Sequence, residues 1–191
     1  MTARSSTPSP ILLLRHAESR PDRSEAAADW PLSDQGRRQA DQLITDLKLQ
    51  LPDQLFSSPY LRARDTIAPF AAAAGLVVGV EAALRECTFR IGYSADWPAP
   101  IARAWADRSY AEEGCESAGN CQRRVLDCAR ALTRRCPGQR LLLCSHGNTI
   151  GLLLNSIDAA FGYAQWQAMT MPALYEVDLT RRDFRVIPLR F

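Results

Sequence analysis

Two apolar stretches of the same kind stand far apart in the chain. Residues 10–14 and 140–144 each carry a continuous apolar run, and a histidine follows within two residues, His16 in one case and His146 in the other. Short apolar runs of this kind are typical of strands that are buried on both faces of a parallel sheet. We therefore predict that the only two histidines of the chain lie at the carboxyl ends of buried strands.

The same reasoning predicts four further strands. Short apolar stretches at residues 54–58 and 76–80 favour two more strands of the parallel sheet. Near the end of the chain, residues 173–179 and 184–189 alternate between apolar and polar positions. Two alternating stretches joined by a short polar turn predict an outer hairpin.

Helices are predicted between most of these strands. Ser33 can cap a helix that ends before Pro52. Three further helices are predicted over residues 59–74, 116–135 and 148–161. The alternation of strands and helices predicts an α/β fold in three layers, with a mostly parallel sheet and helices on both faces.

The chain length of 191 residues is suited to a single domain. Residues 1–9 are polar and predict a flexible N-terminal tail, so that the domain spans residues 10–191. Residues 81–116 are irregular and predict a small inserted cap that shapes specificity. This region and the loop at 20–30 are rich in aromatic side chains, namely Trp30, Phe89, Tyr93, Trp97 and Trp105.

Charge and hydropathy exclude several classes of partner. The net charge is only +2, so the protein creates no strong field that would gather nucleic acid or an anionic membrane. The arginines between 123 and 135 are not accompanied by stacking aromatics, so they also do not predict a nucleic-acid site. The apolar stretch at 11–14 is too short to span a membrane or to form the core of a signal peptide. A cytoplasmic location is therefore predicted.

The cysteines predict neither a metal centre nor a disulfide framework. They stand at positions 87, 115, 121, 128, 136 and 144. None forms a closely spaced pair of the kind that zinc sites use, and no secretory signal accompanies them. We interpret them as reduced structural thiols, and we expect no metal and no cofactor in the active site.

The predicted fold brings the candidate catalytic residues to one edge of the sheet. Ligands of open α/β sheets bind at the carboxyl ends of the strands, which is where His16, His146 and the segment 57–62 are expected. Imidazole is a competent nucleophile near neutral pH. Two histidines at this edge therefore predict covalent catalysis.

Arginines beside these histidines indicate that the substrate carries a phosphate. Arg15 and Arg62 can supply planar, bidentate donors to phosphate oxygens. A protonated His146 would add another donor. The amide of Gly147 opens a helix, whose dipole favours an anion. Together these groups predict a phosphate pocket.

Four segments in this order resemble the histidine phosphatase superfamily, the phosphoglycerate-mutase-like proteins, on its phosphatase branch. The segments are Leu14–Ser19, Ser58–Thr66, Leu84–Glu86 and Ser145–Gly147. Leu32–Ala40 is also similar to a helix start of that family, so that the resemblance extends from about residue 11 to 155.

The resemblance implies a role for each site residue. It identifies His16 as the nucleophile that becomes phosphohistidine, and it places Arg15, Arg62 and His146 in the phosphate pocket. It also implies that Glu86 is the proton donor. The chemistry requires such a donor, because an alkoxide is a poor leaving group. The implied activity is metal-independent hydrolysis of a phosphomonoester, either a small molecule or a phosphoprotein.

The chain departs from the family pattern in three places. Ala17 stands where a glycine is more usual, and Pro21 and Asp22 replace a Trp-Asn pair. Residues 115–117 are Cys-Glu-Ser, where mutases and some phosphatases of the family carry Gly-Glu-Ser. Mutase-type phosphoryl transfer and a catalytically silent phospholigand-binding protein are alternative functions. The substrate, the oligomeric state and the role of Asp22 stay open at this point.

Overall fold

The computed structural model describes residues 10–22, 24–89 and 98–191. The predicted tail at 1–9 lies outside the described residues, and so do Tyr93 and Trp97 of the predicted cap.

The sheet has six strands. They are β1 Ile11–Arg15, β2 Gln54–Ser57, β3 Val78–Val80, β4 Leu141–Ser145, β5 Ala173–Asp178 and β6 Asp183–Ile187. Their order across the sheet is β3-β2-β4-β1-β5-β6. The first four of these are mutually parallel, whereas β5 and β6 form an antiparallel hairpin on the side of β1. The mostly parallel sheet and its outer hairpin are as predicted.

Six α-helices connect and flank the strands in the described part of the chain. They are α1 Asp34–Gln50, α2 Leu61–Ala74, α3 Pro98–Ala106, α4 Ala118–Arg135, α5 Gly147–Ile157 and α6 Tyr163–Gln167. None of these helices is both long and apolar enough to cross a membrane.

Alternate residues of the central strands pack against helices on opposite faces of the sheet. On β1, Leu12 and Leu14 pack in a cluster with residues of α1 and α2. Ile11 and Leu13 pack in a second cluster with residues of α4 and α5. Both faces of the central strands are therefore apolar, which explains their uninterrupted apolar sequence. The predicted α/β class with helices on both faces is confirmed.

Local hydrogen bonds determine where the helices begin and end. Ser33 caps α1, since its Oγ accepts from the amide of Gly36 at 2.9 Å. Gly75 ends α2 in a left-handed conformation with φ of 66°, which glycine adopts without strain. Helix α2 starts at Leu61 rather than at the predicted residue 59, because Ser58 Oγ accepts from the amide of Tyr60 in a preceding turn.

The helix predicted over 148–161 ends earlier than predicted, and a separate short helix follows it. Helix α5 ends at Ile157, and the carboxylate of Asp158 accepts from the amide of Ala160 at 2.8 Å. A side chain that binds the backbone in this way competes with continuation of the helix. The chain turns there and resumes as α6.

The stretch at 81–116 contributes to the core within its described part. Residues 82–84 form a single 3₁₀ turn. Side chains from this stretch, including Leu84, Phe89 and Trp105, are buried in the same cluster as α4 and α5. These contacts hold the segment after the 3₁₀ turn against the carboxyl edge of the sheet.

Candidate active site

The register of the two central strands brings the histidines together. Arg15 of β1 is paired with Ser145 of β4, and the amide of His16 donates to the carbonyl of Ser145 at 3.0 Å. The imidazole rings of His16 and His146 lie 5.2 Å apart between centroids, with an angle of 64° between their planes. His16 is 5% exposed and His146 is fully buried. The two rings thus form the floor of one buried site.

Hydrogen bonds define the tautomer of His16. Its Nδ1 lies 2.7 Å from the carbonyl oxygen of Ala17, which can only accept, so Nδ1 carries the ring proton. The Nε–H of Arg62 donates to Nε2 of His16 at 3.1 Å. The lone pair of the neutral ring therefore lies on Nε2 and faces the guanidinium of Arg62.

Arg62 is held from three directions. Its Nη1 donates to the carbonyl of Ala27 at 2.6 Å, and its guanidinium lies 5.0 Å from the ring centroid of Tyr60 and 5.8 Å from that of Trp30. The residue is only 6% exposed. Burial lowers the pKa of Arg62, and the nearby carboxylate of Glu86 counteracts this effect.

Thr66 connects the loop after His16 to the helix that carries Arg62. Its Oγ1 accepts from the amide of Ala17 at 2.9 Å and donates to the carbonyl of Arg62 at 2.6 Å. Thr66 is fully buried. One hydroxyl group therefore couples the position of the histidine to that of the arginine.

Arg15 enters the site from the end of β1. Its Nη1 donates to the carbonyl of Met169 at 2.5 Å and to that of Thr170 at 3.3 Å. Its Nε is buried and has no partner among the described residues. A Cβ on Gly147 would lie 3.2 Å from three guanidinium atoms of Arg15. Glycine at 147 thus lets the guanidinium lie directly against the start of α5.

His146 presents one ring nitrogen to the site. Its Nε2 lies 2.7 Å from Ser58 Oγ, which already accepts from the amide of Tyr60. The hydroxyl proton of Ser58 can be donated to Nε2, and in that tautomer the ring proton lies on Nδ1. Within the described residues Nδ1 has no partner, so it is available to a ligand.

The surroundings of both histidines favour the neutral ring. Burial, together with the positive charges of Arg62 and Arg15, lowers the pKa of His16 to about 3. The same causes, with burial the largest, hold the pKa of His146 well below its usual value. The sequence predicts a protonated His146, whereas the buried, cationic surroundings favour the neutral ring. A neutral ring still offers one N–H to a phosphate oxygen.

Glu86 lies beside the first turn of α5. Its Oε1 accepts from the amides of Cys87 at 2.8 Å and Thr149 at 3.1 Å. Its Oε2 accepts from the amide of Asn148 at 3.3 Å. These donors fix the carboxylate at the first turn of α5.

Two charged residues in segments next to the site, Arg64 and Asp22, are exposed. Arg64 is exposed on α2. The side chain of Asp22 is exposed and accepts from the amide and the hydroxyl of Ser24. These hydrogen bonds with Ser24 lower the pKa of Asp22 and occupy one of its oxygens.

Sequence reasoning did not identify the residues that support the site. Ser58 and Thr66 stand inside a family-like segment, so their position offered a signal. No sequence signal pointed to Thr149 or to the carbonyls of Met169 and Thr170. These groups reach the site only because α5 and the loop before β5 pack against it.

The carboxyl edge of this α/β sheet brings two buried histidines together with the buried Arg62 and the half-buried Arg15, a set of groups that suits an anionic ligand. Comparison with protein families identifies the class of protein: residues 11–189 match the histidine phosphatase superfamily (branch 1). The chain belongs to this superfamily, as its motifs predict, and the membership supports its assignment as a phosphatase. A comparison with curated protein sequences finds no match.

Solved structures of similar fold cover almost the whole chain. A mycobacterial glucosyl-3-phosphoglycerate phosphatase in complex with VO3 is 27% identical, with a TM-score of 0.75, over 94% of this chain and 97% of that chain. A protein described as mycobacterial hydrolase 1 is 26% identical, with a TM-score of 0.72, over 95% and 97%. A phosphoserine phosphatase from Entamoeba histolytica is 15% identical, with a TM-score of 0.73, over 94% and 95%. The last likeness is one of fold alone.

Proposed function

We propose that this protein is a metal-independent phosphomonoester hydrolase that acts through a phosphohistidine on His16. The observation that carries the proposal is the lone pair on His16 Nε2, which is directed at Arg62 in a buried site. Arg15 and His146 flank the same site. An electron-rich nitrogen surrounded by fixed donors suits attack on a phosphate monoester.

Substrate binding would free the nucleophile. A phosphate oxygen is a stronger acceptor for Arg62 Nε–H than a neutral imidazole nitrogen, because the bond between two charged groups is stronger. On binding, Arg62 therefore transfers its hydrogen bond from His16 to the phosphate. Arg15 Nε, His146 Nδ1 and the amide of Gly147 complete the set of donors. Donors that are already in place stabilise the charge that spreads over the phosphoryl oxygens.

The reaction then proceeds in two steps. In the first, His16 Nε2 forms a bond to phosphorus, the bond between phosphorus and the leaving oxygen breaks, and Glu86 gives its proton to that oxygen. In the second, the Glu86 carboxylate accepts a proton from water, which attacks phosphorus and releases inorganic phosphate from His16. The enzyme returns to its starting protonation state.

The relatives favour a small phosphorylated metabolite over a phosphoprotein as substrate. A similar structure, at 27% identity, is named for a phosphatase of glucosyl-3-phosphoglycerate, which is a small phosphorylated molecule. We extend to this chain only the class, a phosphorylated small molecule.

Trapping of the intermediate tests the proposal. Enzyme quenched in base during turnover of a ³²P-labelled monoester should carry label on His16, stable in base and labile in acid. His16→Ala should lose the label and several orders of magnitude in rate, whereas Arg64→Ala, an exposed neighbour, should retain both. Label on a serine, cysteine or carboxylate would overturn the nucleophile. Transfer of label to a second alcohol instead of water would identify a mutase, and tight phosphate binding without turnover would identify a silent binding protein.

A further inference from the structure

A second cluster of reactive side chains lies behind Glu86. It consists of Cys87, Glu116 and Cys121, and we call it the dithiol cluster. Both cysteines are buried, at 2% and 0% exposure, and Glu116 is half-buried. One ligand atom from each residue, the two Sγ atoms and a carboxylate oxygen, lie within 4.8 Å of one another.

Two separate segments of the chain contribute the three residues, and Glu116 lies only five positions before Cys121. Cys87 lies in the segment after the 3₁₀ turn, Glu116 precedes α4, and Cys121 lies in the first turns of α4. The cluster therefore forms only when the chain folds, and the spacing of the cysteines in the sequence does not predict it.

The ligand atoms of the cluster lie at most about 1 Å farther apart than those of a tetrahedral zinc site. Zinc binds thiolate sulfur at about 2.3 Å and carboxylate oxygen at about 2.0–2.2 Å, so that neighbouring ligand atoms lie about 3.6–3.8 Å apart. Shifts of about 1 Å would convert the present arrangement into three ligands of one ion. The hydroxyl of Thr149, whose oxygen lies 3.9 Å from Cys121 Sγ, borders the remaining position.

Arg124 adds a positive charge beside the dithiol cluster. Its guanidinium donates to both oxygens of Glu116, at 2.8 and 2.5 Å, and to Cys121 Sγ at 3.3 Å. Two thiolates and one carboxylate beside one guanidinium carry a net charge of −2, which a divalent cation would neutralise. Outer hydrogen bonds of this kind orient the ligands of metal sites.

We propose that the dithiol cluster is a binding site for a thiophilic divalent cation of the zinc class. Binding deprotonates the two thiols, and the protons leave to solvent. The cation joins α4 to the segment that carries Glu86. It is not a participant in the proposed hydrolysis, because none of its ligands is a residue that we assign to the phosphate.

The cluster is in contact with the candidate acid. The amide of Cys87 and the hydroxyl of Thr149 both approach Glu86 Oε1, at 2.8 and 3.1 Å. Movement of Cys87 onto a cation would shift the carboxylate. This part of the inference rests on the proposed function, and it predicts that zinc lowers hydrolysis of an alkyl phosphate several-fold.

Cobalt titration of the reduced full-length protein tests the binding site without reference to activity. One equivalent of Co²⁺ should produce the thiolate-to-cobalt absorption and the intense visible bands of a tetrahedral site, and one equivalent of Zn²⁺ should abolish them. Cys87→Ser and Cys121→Ser should each lose the thiolate bands. Cys136→Ser, which removes a half-buried thiol outside the cluster, should retain them. Circular dichroism of each variant shows that the fold is intact.

A thermal measurement provides a second readout. Zinc should raise the melting temperature of the wild type and of Cys136→Ser but not that of Cys121→Ser. The absence of thiolate bands in the wild type would overturn the site, and so would their persistence in the Cys87→Ser, Cys121→Ser double variant. Cobalt bands without inhibition would leave the site intact and overturn only its coupling to Glu86.

Discussion

Arg62 Nε donates a hydrogen bond to His16 Nε2 at 3.1 Å, so the guanidinium covers the nitrogen that we propose as the nucleophile. The contact links two residues that lie 46 positions apart in the sequence. It keeps the lone pair in a hydrogen bond until a better acceptor enters the site.

The first prediction concerns the titration of His16. Burial and the charge of Arg62 are the two largest causes that lower its pKa to about 3. Arg62→Ala removes one of them and should raise the pKa of His16 towards its usual value, as followed by NMR of the imidazole carbons. Arg64→Ala keeps Arg62 in place and should leave the titration unchanged. An unaltered pKa in Arg62→Ala would mean that the charge of Arg62 does not contribute to the lowered pKa of His16.

The second prediction concerns stability in acid. The pKa values of both histidines are lowered in the folded state, so the unfolded chain binds more protons below its own histidine pKa of about 6.5. Stability is therefore present above that pH and is lost as the pH falls, by about 1.4 kcal/mol per pH unit for each fully buried histidine. For His16 the loss continues to a pH of about 3.

Urea unfolding between pH 7 and pH 5 measures this effect. In the double variant that combines His16→Asn and His146→Asn, the free energy of unfolding should depend less on pH than it does in the wild type. Parallel curves for the two proteins would contradict neutral histidines in the folded state.

The third prediction concerns Thr66. Thr66→Val removes the hydroxyl that joins the amide of Ala17 to the carbonyl of Arg62. A buried amide left without a partner costs about 1–3 kcal/mol, which denaturant unfolding measures. We also expect kcat to fall, because His16 and Arg62 lose their common support. Thr66→Ser retains the hydroxyl and should recover most of kcat. Equal activity of the two variants would show that the hydroxyl does not couple the positions of His16 and Arg62.

The fourth prediction separates proton donation by Glu86 from positioning. Glu86→Gln should slow an alkyl phosphate far more than p-nitrophenyl phosphate in the single-turnover step that forms phosphohistidine, since a phenolate leaves without a proton. Equal slowing of both substrates would point to positioning. If neither is slowed, Glu86 is not part of the site, and the acid must be sought among Glu112, Glu113 and Glu116.

The fifth prediction concerns metals and vanadate. Hydrolysis should survive EDTA, because every group that the proposed mechanism uses belongs to the chain: His16, His146, Glu86, two arginines and the amide of Gly147. Vanadate should inhibit as a mimic of five-coordinate phosphorus. Loss of activity to EDTA that a divalent ion restores would favour a metal phosphatase instead.

The sequence by itself determined the order of the elements and the edge of the sheet at which the site lies. Two continuous apolar runs identify β1 and β4 as strands that are buried on both faces of the sheet. Because a histidine directly follows each strand, both histidines must lie at the carboxyl edge of the sheet. Local caps such as Ser33 and Gly75 set helix ends for reasons that act within a few residues. The predicted helix end was wrong where a side chain binds the backbone, as Asp158 does at the end of α5.

The tertiary structure alone decided the chemistry of each group. Whether an imidazole is neutral depends on how deeply it is buried and on which charges surround it, and for His146 these are contributed by Arg15 and Arg62, from β1 and α2. The tautomer of His16 depends on the carbonyl and the guanidinium that face its two nitrogens. Cys87, Glu116 and Cys121 likewise meet only because α4 packs on the segment after the 3₁₀ turn. Such contacts join residues that are distant in the chain, so no local pattern of the sequence encodes them.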